Sequence, residues 1–155
     1  MIHDDFMRRA IELAVENVEN GGGPFGAVIV RGDEIVAEGV NRVTANNDPT
    51  AHAEVLAIRA ASLKLGTFDL SGCRLYTSCE PCPMCLGAIY WAHIDKVYYG
   101  ANKDDAANAG FDDSFIYKEL ELEPSQRRLP LEMILADEAQ AAFDAWRKKD
   151  DRVEY

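Results

Sequence analysis

Four side chains that could do chemistry together lie in two short stretches of the sequence. His52 and Glu54 are two residues apart, and Cys82 and Cys85, further along the chain, are three apart. Thiols three apart at the start of a helix point to nearly the same side and can bind one ion. A catalytic zinc site takes three nitrogen and sulfur ligands and leaves a fourth position for water. We therefore expect His52, Cys82 and Cys85 to bind one zinc ion per chain, with Glu54 beside it as the proton carrier.

Both stretches are predicted to lie where a helix begins. His52 stands at the head of a helix that ends near Leu65, and Cys82 immediately precedes Pro83. Exposed N–H groups and the helix macrodipole favour anions at this end of a helix, which stabilises thiolates and the Glu54 carboxylate. Two thiolates also balance the charge of Zn²⁺. A water bound to such an ion becomes a hydroxide nucleophile when Glu54 takes its proton.

Other interpretations of the same residues stay open. Cys79 is evenly spaced with Cys82 and Cys85 and would complete a closed, structural zinc site. Iron could take the place of zinc, although thiolate and imidazole ligands suit zinc well. Without the cysteine turn, His52 would be a buried histidine, and Glu54 would be a carboxylate that stabilises a helix start.

The composition favours a single domain without disulfides. A chain of 155 residues is long enough to bury roughly two thirds of its unfolded surface. The acidic N-terminus lacks the basic and apolar regions of a signal peptide, which predicts a cytoplasmic protein. In that reducing compartment cysteines are metal ligands or buried thiols, and Cys73 and Cys79 are interpreted as packing or neighbouring thiols. No window approaches the roughly 18 to 20 apolar residues that a membrane span needs.

The charge of the chain limits its partners. The net charge is −11, from 27 acidic and 16 basic residues. Phosphate contacts dominate nucleic-acid affinity, so an acidic chain needs a concentrated basic patch to bind a polynucleotide. The two basic runs, 127–128 and 147–149, are short, and the second is followed at once by Asp150 and Asp151. We expect a small neutral substrate, with no nucleic acid and no membrane as partners.

Hydrophobic periodicity predicts helices that alternate with strands. The predicted helices cover 6–18, 51–65, a segment from Pro83 and 138–149, and the stretches 104–110 and 112–120 are predicted to be helix or helix-rich loop. The predicted strands cover 25–30, 35–37, 73–77, 96–100 and 131–135, and the polar run 41–50 is predicted to be a loop. A helix, a hairpin and then strands that alternate with helices favour an α/β sandwich with a mixed sheet, in one domain that covers 1–155.

The two chemical stretches carry a family resemblance. His52-Ala53-Glu54 and Pro81-Cys82-Pro83-Met84-Cys85 resemble the H-x-E and P-C-x-x-C signature of the zinc nucleobase deaminases, the cytidine and deoxycytidylate deaminase superfamily. Within that superfamily the chain is similar to the small bacterial guanine deaminases over nearly its whole length. The similar stretches are 22–30, 46–54, 77–91, 109–117 and the C-terminal tyrosine.

The resemblance implies a fold and an assembly. The fold is a cytidine-deaminase-like, three-layer α/β/α sandwich around a mixed five-stranded sheet. The assembly is a homodimer whose C-terminal segment, about residues 135–155, is exchanged between the subunits.

The resemblance also implies how a purine ring is held. Phe25 would stack on the ring, and Asn41 would form a hydrogen bond with it. The backbone N–H of Ala53 would hold the carbonyl oxygen of the ring, and Asp113 would recognise the ring edge.

Two further aromatic residues complete the predicted substrate site. Trp91 would line the pocket. Tyr155, the last residue of the chain, would close over an active site, that of the partner subunit. Such a lid would exclude water from the reaction.

The activity that the resemblance implies is hydrolytic deamination of guanine to xanthine and ammonia. A zinc-activated hydroxide would attack C2, and Glu54 would move the protons. The alternatives are a tRNA adenosine deaminase, a deaminase of cytosine or of an aminated triazine or pterin ring, and a zinc-stabilised binding protein without turnover. The acidic charge and the stretch 110–113 disfavour the tRNA enzyme, and the intact Glu54 disfavours the binding protein.

Overall fold

A computed structural model describes residues 3–155, which fall into two compact units. The first unit ends at Ser114, and the second runs Phe115–Tyr155. The elements are, in chain order, α1 (His3–Glu19), β1 (Gly26–Arg31), β2 (Glu34–Val40), α2 (Val43–Asn46), α3 (Ala53–Leu65), β3 (Cys73–Cys79), α4 (Pro83–Trp91), β4 (Lys96–Ala101), α5 (Lys103–Asn108), α6 (Ser114–Leu120), a 3₁₀ turn (Pro124–Gln126) and α7 (Ala136–Lys148). Among the described residues, no helix is long and apolar enough to cross a membrane.

The strands of the first unit form one mixed sheet in the order β2-β1-β3-β4. β1 is antiparallel to both β2 and β3, and β3 is parallel to β4. β1 and β2 are joined by a tight turn in which Gly32 has a positive φ of 62°. The predicted α/β fold with a mixed sheet is therefore confirmed.

The predicted fifth strand is not confirmed, because the sheet of the described chain has four strands. Residues 131–135 form no strand, and Leu131, Met133 and Leu135 are exposed. Leu135 has a φ of 52°, in the left-handed region, and forms the N-cap of α7. The alternation of apolar residues suggested a strand, but a strand also needs a neighbouring edge with which to form hydrogen bonds.

Helices cover both faces of the sheet, as the alternation of side chains in β1 requires. Ala27 and Ile29 point to one face, where they pack with residues of α3 and α4. Val28 and Val30 point to the other face and pack with Phe6 of α1. The first unit thus has the three layers of an α/β/α sandwich, and its core lies on both sides of β1 and β3.

Two glycines let helices lie directly on strands. A Cβ at Gly39 of β2 would overlap the carbonyl oxygen of Ala53 and lie 2.6 Å from the nitrogen of Ala57, both in α3. A Cβ at Gly26 of β1 would likewise meet the backbone of α1, 2.7 Å from the nitrogen of Ala14. Since real Cβ atoms do not approach so closely, only glycine fits at these contacts. The start of α3, where His52 and Glu54 lie, is placed in this way.

The segment that leads to His52 is more ordered than its polar composition predicted. It contains the short helix α2, which ends with Asn47 in the left-handed conformation. The Asp48 carboxylate then accepts hydrogen bonds from the N–H and the hydroxyl of Thr50, at 2.9 and 2.7 Å. The N–H of Arg42 donates to the carbonyl of Ala51 at 2.9 Å, which fixes both ends of the segment.

Candidate active site

The three predicted metal ligands meet where α3 and α4 begin. His52 is the N-cap of α3 and Cys82 is the N-cap of α4, and neither side chain caps its helix. Instead, Nδ1 of His52 lies 3.5 Å from Sγ of Cys82 and 3.4 Å from Sγ of Cys85. The ligand atoms of all three residues lie within 4.8 Å of one another. The spacing in the sequence is therefore matched by proximity in the fold.

The geometry of this group fits zinc. A tetrahedral ion with Zn–S bonds of about 2.3 Å and Zn–N bonds of about 2.0 Å holds its sulfur and nitrogen ligands about 3.5 Å apart. The observed separations of 3.5 and 3.4 Å agree with that value. The group comprises three donors, and Cys79 is outside it, with its Sγ 3.8 Å from the carbonyl oxygen of Asn102. Three donors leave one tetrahedral position open, which is the arrangement of a catalytic site.

The two ligand thiols differ in acidity. The pKa of Cys82 is lowered to about 4, mainly by the hydrogen bond from Cys85 and also by His52. The same hydrogen bond, together with burial, raises the pKa of Cys85. A cation that displaces the Cys85 proton would meet two sulfur donors that already lie close together.

Glu54 lies in the first turn of α3 and is only 5% exposed. Burial, as the largest cause, raises the pKa of its carboxyl group above the ordinary value. Its Oε1 accepts a hydrogen bond from the hydroxyl of Thr77 in β3, at 3.2 Å. A buried carboxyl group whose pKa is raised is suited to take up and release a proton during a reaction.

The metal group and Glu54 open onto a cavity of about 590 Å³. Besides Glu54, five of the predicted chemical and ring-binding residues line it, which are Phe25, Asn41, His52, Cys82 and Asp113. Cys85 is fully buried and does not line the cavity. The first unit of the fold thus brings these residues to one site.

Carboxylates give this cavity an acidic side. Asp112, Asp113, Glu80 and Glu54 all line it. Burial is the main cause that raises the pKa of Asp113, and the neighbouring acidic groups raise it further. Carboxylate oxygens accept hydrogen bonds, so this side of the cavity favours a ligand that presents N–H groups over one that presents phosphate.

Two segments that line the cavity are joined by Asn17, a residue that the sequence analysis missed. Asn17 of α1 is buried, and its Nδ2 donates to the carbonyl oxygens of Gly23 and Asn41, at 2.7 and 2.8 Å. One side chain thus joins the glycine loop before β1 to the end of β2. A signal for it existed, because Asn17 interrupts the apolar face of α1 that includes Leu13 and Ala14.

An aromatic pair and a buried hydroxyl were missed as well. Phe111 lines the cavity and packs edge to face against Phe25, with ring centroids 5.0 Å apart. Thr77 contacts Glu54, as described above. Neither has a signal in the sequence, because each lies far along the chain from its partner.

Three predicted substrate contacts do not line this cavity. Ala53 is fully buried and is the first residue of α3, where a helical N–H has no acceptor within the helix. Trp91, at the end of α4, is 66% exposed and lines a separate surface cavity with Phe68. Tyr155 belongs to the second unit of the chain and is exposed. The roles of these three residues stay predictions.

Comparison with known proteins gives a family for this site. The family described as "Cytidine and deoxycytidylate deaminase zinc-binding region" matches residues 1–101. The chain is 56% identical to guanine deaminase of Bacillus subtilis in an alignment of 156 positions that covers 100% of both chains. It is 44% identical to the tRNA-specific adenosine deaminase of Aquifex aeolicus, over 62% of this chain and 64% of that protein.

A solved structure extends the similarity to the whole fold. The X-ray structure of guanine deaminase from Bacillus subtilis superposes with a TM-score of 0.97 at 56% identity, and the match covers 100% of this chain and 99% of that one. The matched region contains the His-Cys-Cys group and Glu54. The chain therefore belongs to the cytidine and deoxycytidylate deaminase family and carries its zinc-binding region.

Proposed function

We propose that this protein is a zinc-dependent guanine deaminase, which converts guanine and water to xanthine and ammonia. The observation that carries the proposal is that the His-Cys-Cys group and Glu54 open onto the same cavity as Phe25, Asn41 and Asp113. The full-length similarity to guanine deaminase of Bacillus subtilis supports guanine as the substrate.

The cavity supplies complementary groups for each part of a guanine ring. Phe25, held by its edge-to-face contact with Phe111, offers a flat surface for stacking. Asp113 offers acceptors to the N–H groups of the ring edge. In addition to the groups that line the cavity, the N–H of Ala53 at the start of α3 would donate to the ring carbonyl. Asn41 would donate through its side-chain amide, since its Oδ1 already accepts a hydrogen bond from Val43 at 3.2 Å.

The reaction requires a nucleophile and a proton carrier. His52, Cys82 and Cys85 would hold the ion. When bound, zinc supplies a water molecule whose pKa is lowered toward neutrality. Glu54 would take one proton from the attacking water and pass it to a ring nitrogen. It would then take the second proton from the hydroxyl group added at C2 and pass it to the amine, which leaves as ammonia while the C2=O bond forms. Glu54 is only 5% exposed, which limits the access of bulk water to its carboxyl group.

The acidic cavity distinguishes this proposal from the main alternative, a tRNA adenosine deaminase. Glu80, Asp112 and Asp113 line the cavity, and the chain has a net charge of −11. These carboxylates would repel the phosphates that flank a target base in RNA. A free base carries no phosphate and avoids this repulsion.

We also propose that the chain forms a homodimer in which the segment 135–155 is exchanged, so that Tyr155 closes the active site of the partner. The second unit supports this proposal by its exposed apolar residues. α7 contains no buried residue, and Phe143 and Trp146 are 57% and 38% exposed.

All four cysteines are free thiols, which fits the proposed location in the cytoplasm.

Ammonia release from a panel of rings tests the proposed function. The zinc-loaded protein is incubated with guanine, adenine, cytosine, their nucleosides and an aminotriazine, and we expect guanine to be deaminated far faster than the others. Glu54→Gln should lower kcat at least about a hundredfold, because the proton carrier is lost, while zinc stays bound. The exposed carboxylate Glu12 provides a matched Glu→Gln control.

Two results would contradict this proposal in different ways. Turnover of another ring with none of guanine would keep the reaction type and reject the substrate. An absence of turnover on every ring, with zinc bound, would favour the zinc-stabilised binding protein.

A further inference from the structure

A buried hydroxyl lies where the fold would otherwise place an apolar side chain. Alternate residues of β3 face α3 and α4, and on this face Cys73 and Leu75 belong to the apolar core. Thr77, the next residue on that face, is only 1% exposed. A buried hydroxyl is unfavourable unless it forms hydrogen bonds, and valine has nearly the same shape without that requirement. The contacts of the Thr77 hydroxyl should therefore explain why threonine, and not valine, occupies this position.

The Thr77 hydroxyl faces two acceptors at equal distance. Its Oγ1 lies 3.2 Å from Oε1 of Glu54 and 3.2 Å from the carbonyl oxygen of Cys79. A hydroxyl has one proton, so it can donate to only one of them at a time. Thr77 thus lies between the proton carrier on α3 and the turn that leads to Cys82.

We propose that Thr77 is a positioning residue for the reaction, a role that rests on the proposed function. Its hydroxyl fixes the direction of the Glu54 carboxylate by donating to Oε1. The same hydroxyl lies 3.2 Å from the carbonyl oxygen of Cys79, so Thr77 connects the carboxylate on α3 to the end of β3.

Two matched comparisons test this role. Thr77→Val replaces the hydroxyl with a methyl group, and the pair Thr77→Ser and Thr77→Ala differs by one oxygen atom. We expect Thr77→Val to lower kcat about tenfold to a hundredfold, because misplaced catalytic groups cost rates of this order. KM and zinc content should stay within about twofold of wild type. Thr77→Ser should retain most of the kcat that Thr77→Ala loses, which keeps the test valid if Thr77→Val folds poorly.

A control on the same strand separates positioning from general damage to the core. Tyr76 faces the other side of the sheet, and its hydroxyl contacts Nδ1 of His3 at 2.7 Å. Tyr76→Phe removes a hydroxyl from β3 without touching the cavity, so it should leave kcat unchanged. In a Glu54→Gln background, Thr77→Val should have little further effect on kcat, since both changes act on the same group.

A readout without turnover keeps this inference separate from the proposed function. In zinc-free protein, equilibrium unfolding of wild type, Thr77→Val, Glu54→Ala and the double variant should give non-additive changes, because the two side chains interact. If guanine is not deaminated, the proposed substrate fails, while this coupling still tests the contact. Wild-type kcat in Thr77→Val, or additive stability changes, would overturn the role of Thr77.

Discussion

His52 and Cys82 occupy positions where side chains usually cap a helix, and both are used differently here. N-cap side chains commonly accept a hydrogen bond from the second or third helical N–H. At the starts of α3 and α4 these side chains turn toward each other instead, with Nδ1 and Sγ 3.5 Å apart. The helix starts thus contribute their ligands to the metal group rather than to their own backbones.

Removal of one ligand should abolish zinc binding. We expect Cys82→Ser to reduce the zinc content from one ion per chain to less than about a tenth, because serine is a poor ligand for zinc at neutral pH. Deaminase activity should be lost with it, as it should after treatment of the wild type with a strong chelator. The measurement is metal analysis of the purified protein beside ammonia release.

Cys73 provides the control for this change. It is a buried thiol in the core, outside the metal group. Cys73→Ala should lower the melting temperature and leave zinc content unchanged. Equal zinc content in Cys82→Ser and wild type would contradict the ligand assignment.

At the residue scale, spacing predicted the metal group but not its supports. Cys82 and Cys85 were predictable because residues three apart lie on nearly the same side of a helix. His52 was predictable because it belongs to the H-x-E part of the deaminase signature. Asn17 and Thr77 contact partners that lie 24 and 23 residues away in the sequence. No local pattern in the sequence indicates which strand lies beside Glu54. The contacts of Asn17 and Thr77 could therefore be identified only from the three-dimensional structure.

At the scale of elements, the contact between α3 and β2 places the site. Gly39→Ala should force α3 away from the sheet, since the new Cβ would overlap the backbone at Ala53. We expect a loss of about 1–3 kcal/mol in the free energy of unfolding, as for other overpacked cores. The activity should fall as well, because His52 and Glu54 move with α3. Chemical denaturation and kcat measure the two effects.

A second glycine supplies the matched comparison for this prediction. Gly87 lies within α4, and a Cβ there would have no atom within 4 Å. Gly87→Ala should stabilise the protein by about 0.4–1 kcal/mol, because alanine restricts the unfolded chain. If both substitutions have the same effect, the close contact at Gly39 does not place α3.

Asn17 joins two segments that line the cavity, and its removal should weaken substrate binding. Asn17→Ala removes the hydrogen bonds to the carbonyls of Gly23 and Asn41. Because Asn41 is predicted to hold the ring, we expect KM for guanine to rise about tenfold, with a smaller effect on kcat. Steady-state kinetics test this expectation, with the exposed neighbour Asn20 replaced by alanine as the control. An unchanged KM would show that the loop keeps its shape without Asn17.

Most elements were predictable because burial leaves a periodic pattern. β1 is buried on both faces, and its run of apolar residues indicated a strand. The end of α3 followed from Gly66, which adopts the left-handed conformation with a φ of 67°. The segment 131–135 has a similar apolar pattern but forms no strand. The apolar pattern of a segment does not show whether a neighbouring strand edge is available for its hydrogen bonds.

At the scale of the whole molecule, we predict that the apolar face of α7 stabilises the dimer. Phe143 and Trp146 are exposed residues of one helical face. Replacing both with glutamine should shift the protein from dimer to monomer in sedimentation equilibrium, because apolar area is lost from the contact. Gln replacement of Leu63, an exposed residue of α3, is the control and should leave the mass unchanged. A monomeric wild type would reject the proposed assembly.

Exchange of the C-terminal segment can be tested by complementation. A Glu54→Gln chain lacks the proton carrier, and a chain without Tyr155 lacks the predicted lid. Each should be weakly active alone. Coexpressed chains should recover part of the activity, because a mixed dimer can pair an intact Glu54 with the partner's tyrosine. No recovery in mixed dimers would indicate that Tyr155 acts within its own chain.

The glycine contacts also restrict how this protein can change over time. A contact between two core side chains can change during evolution, because a larger residue on one side can be accommodated by a smaller residue on the other. Gly26 and Gly39 face backbone atoms of α1 and α3. Backbone atoms are the same for every residue, so no substitution in the helix can make room for a larger side chain. Laboratory evolution of new substrates should therefore accept changes among the residues that line the cavity and repeatedly reject any change at these two positions.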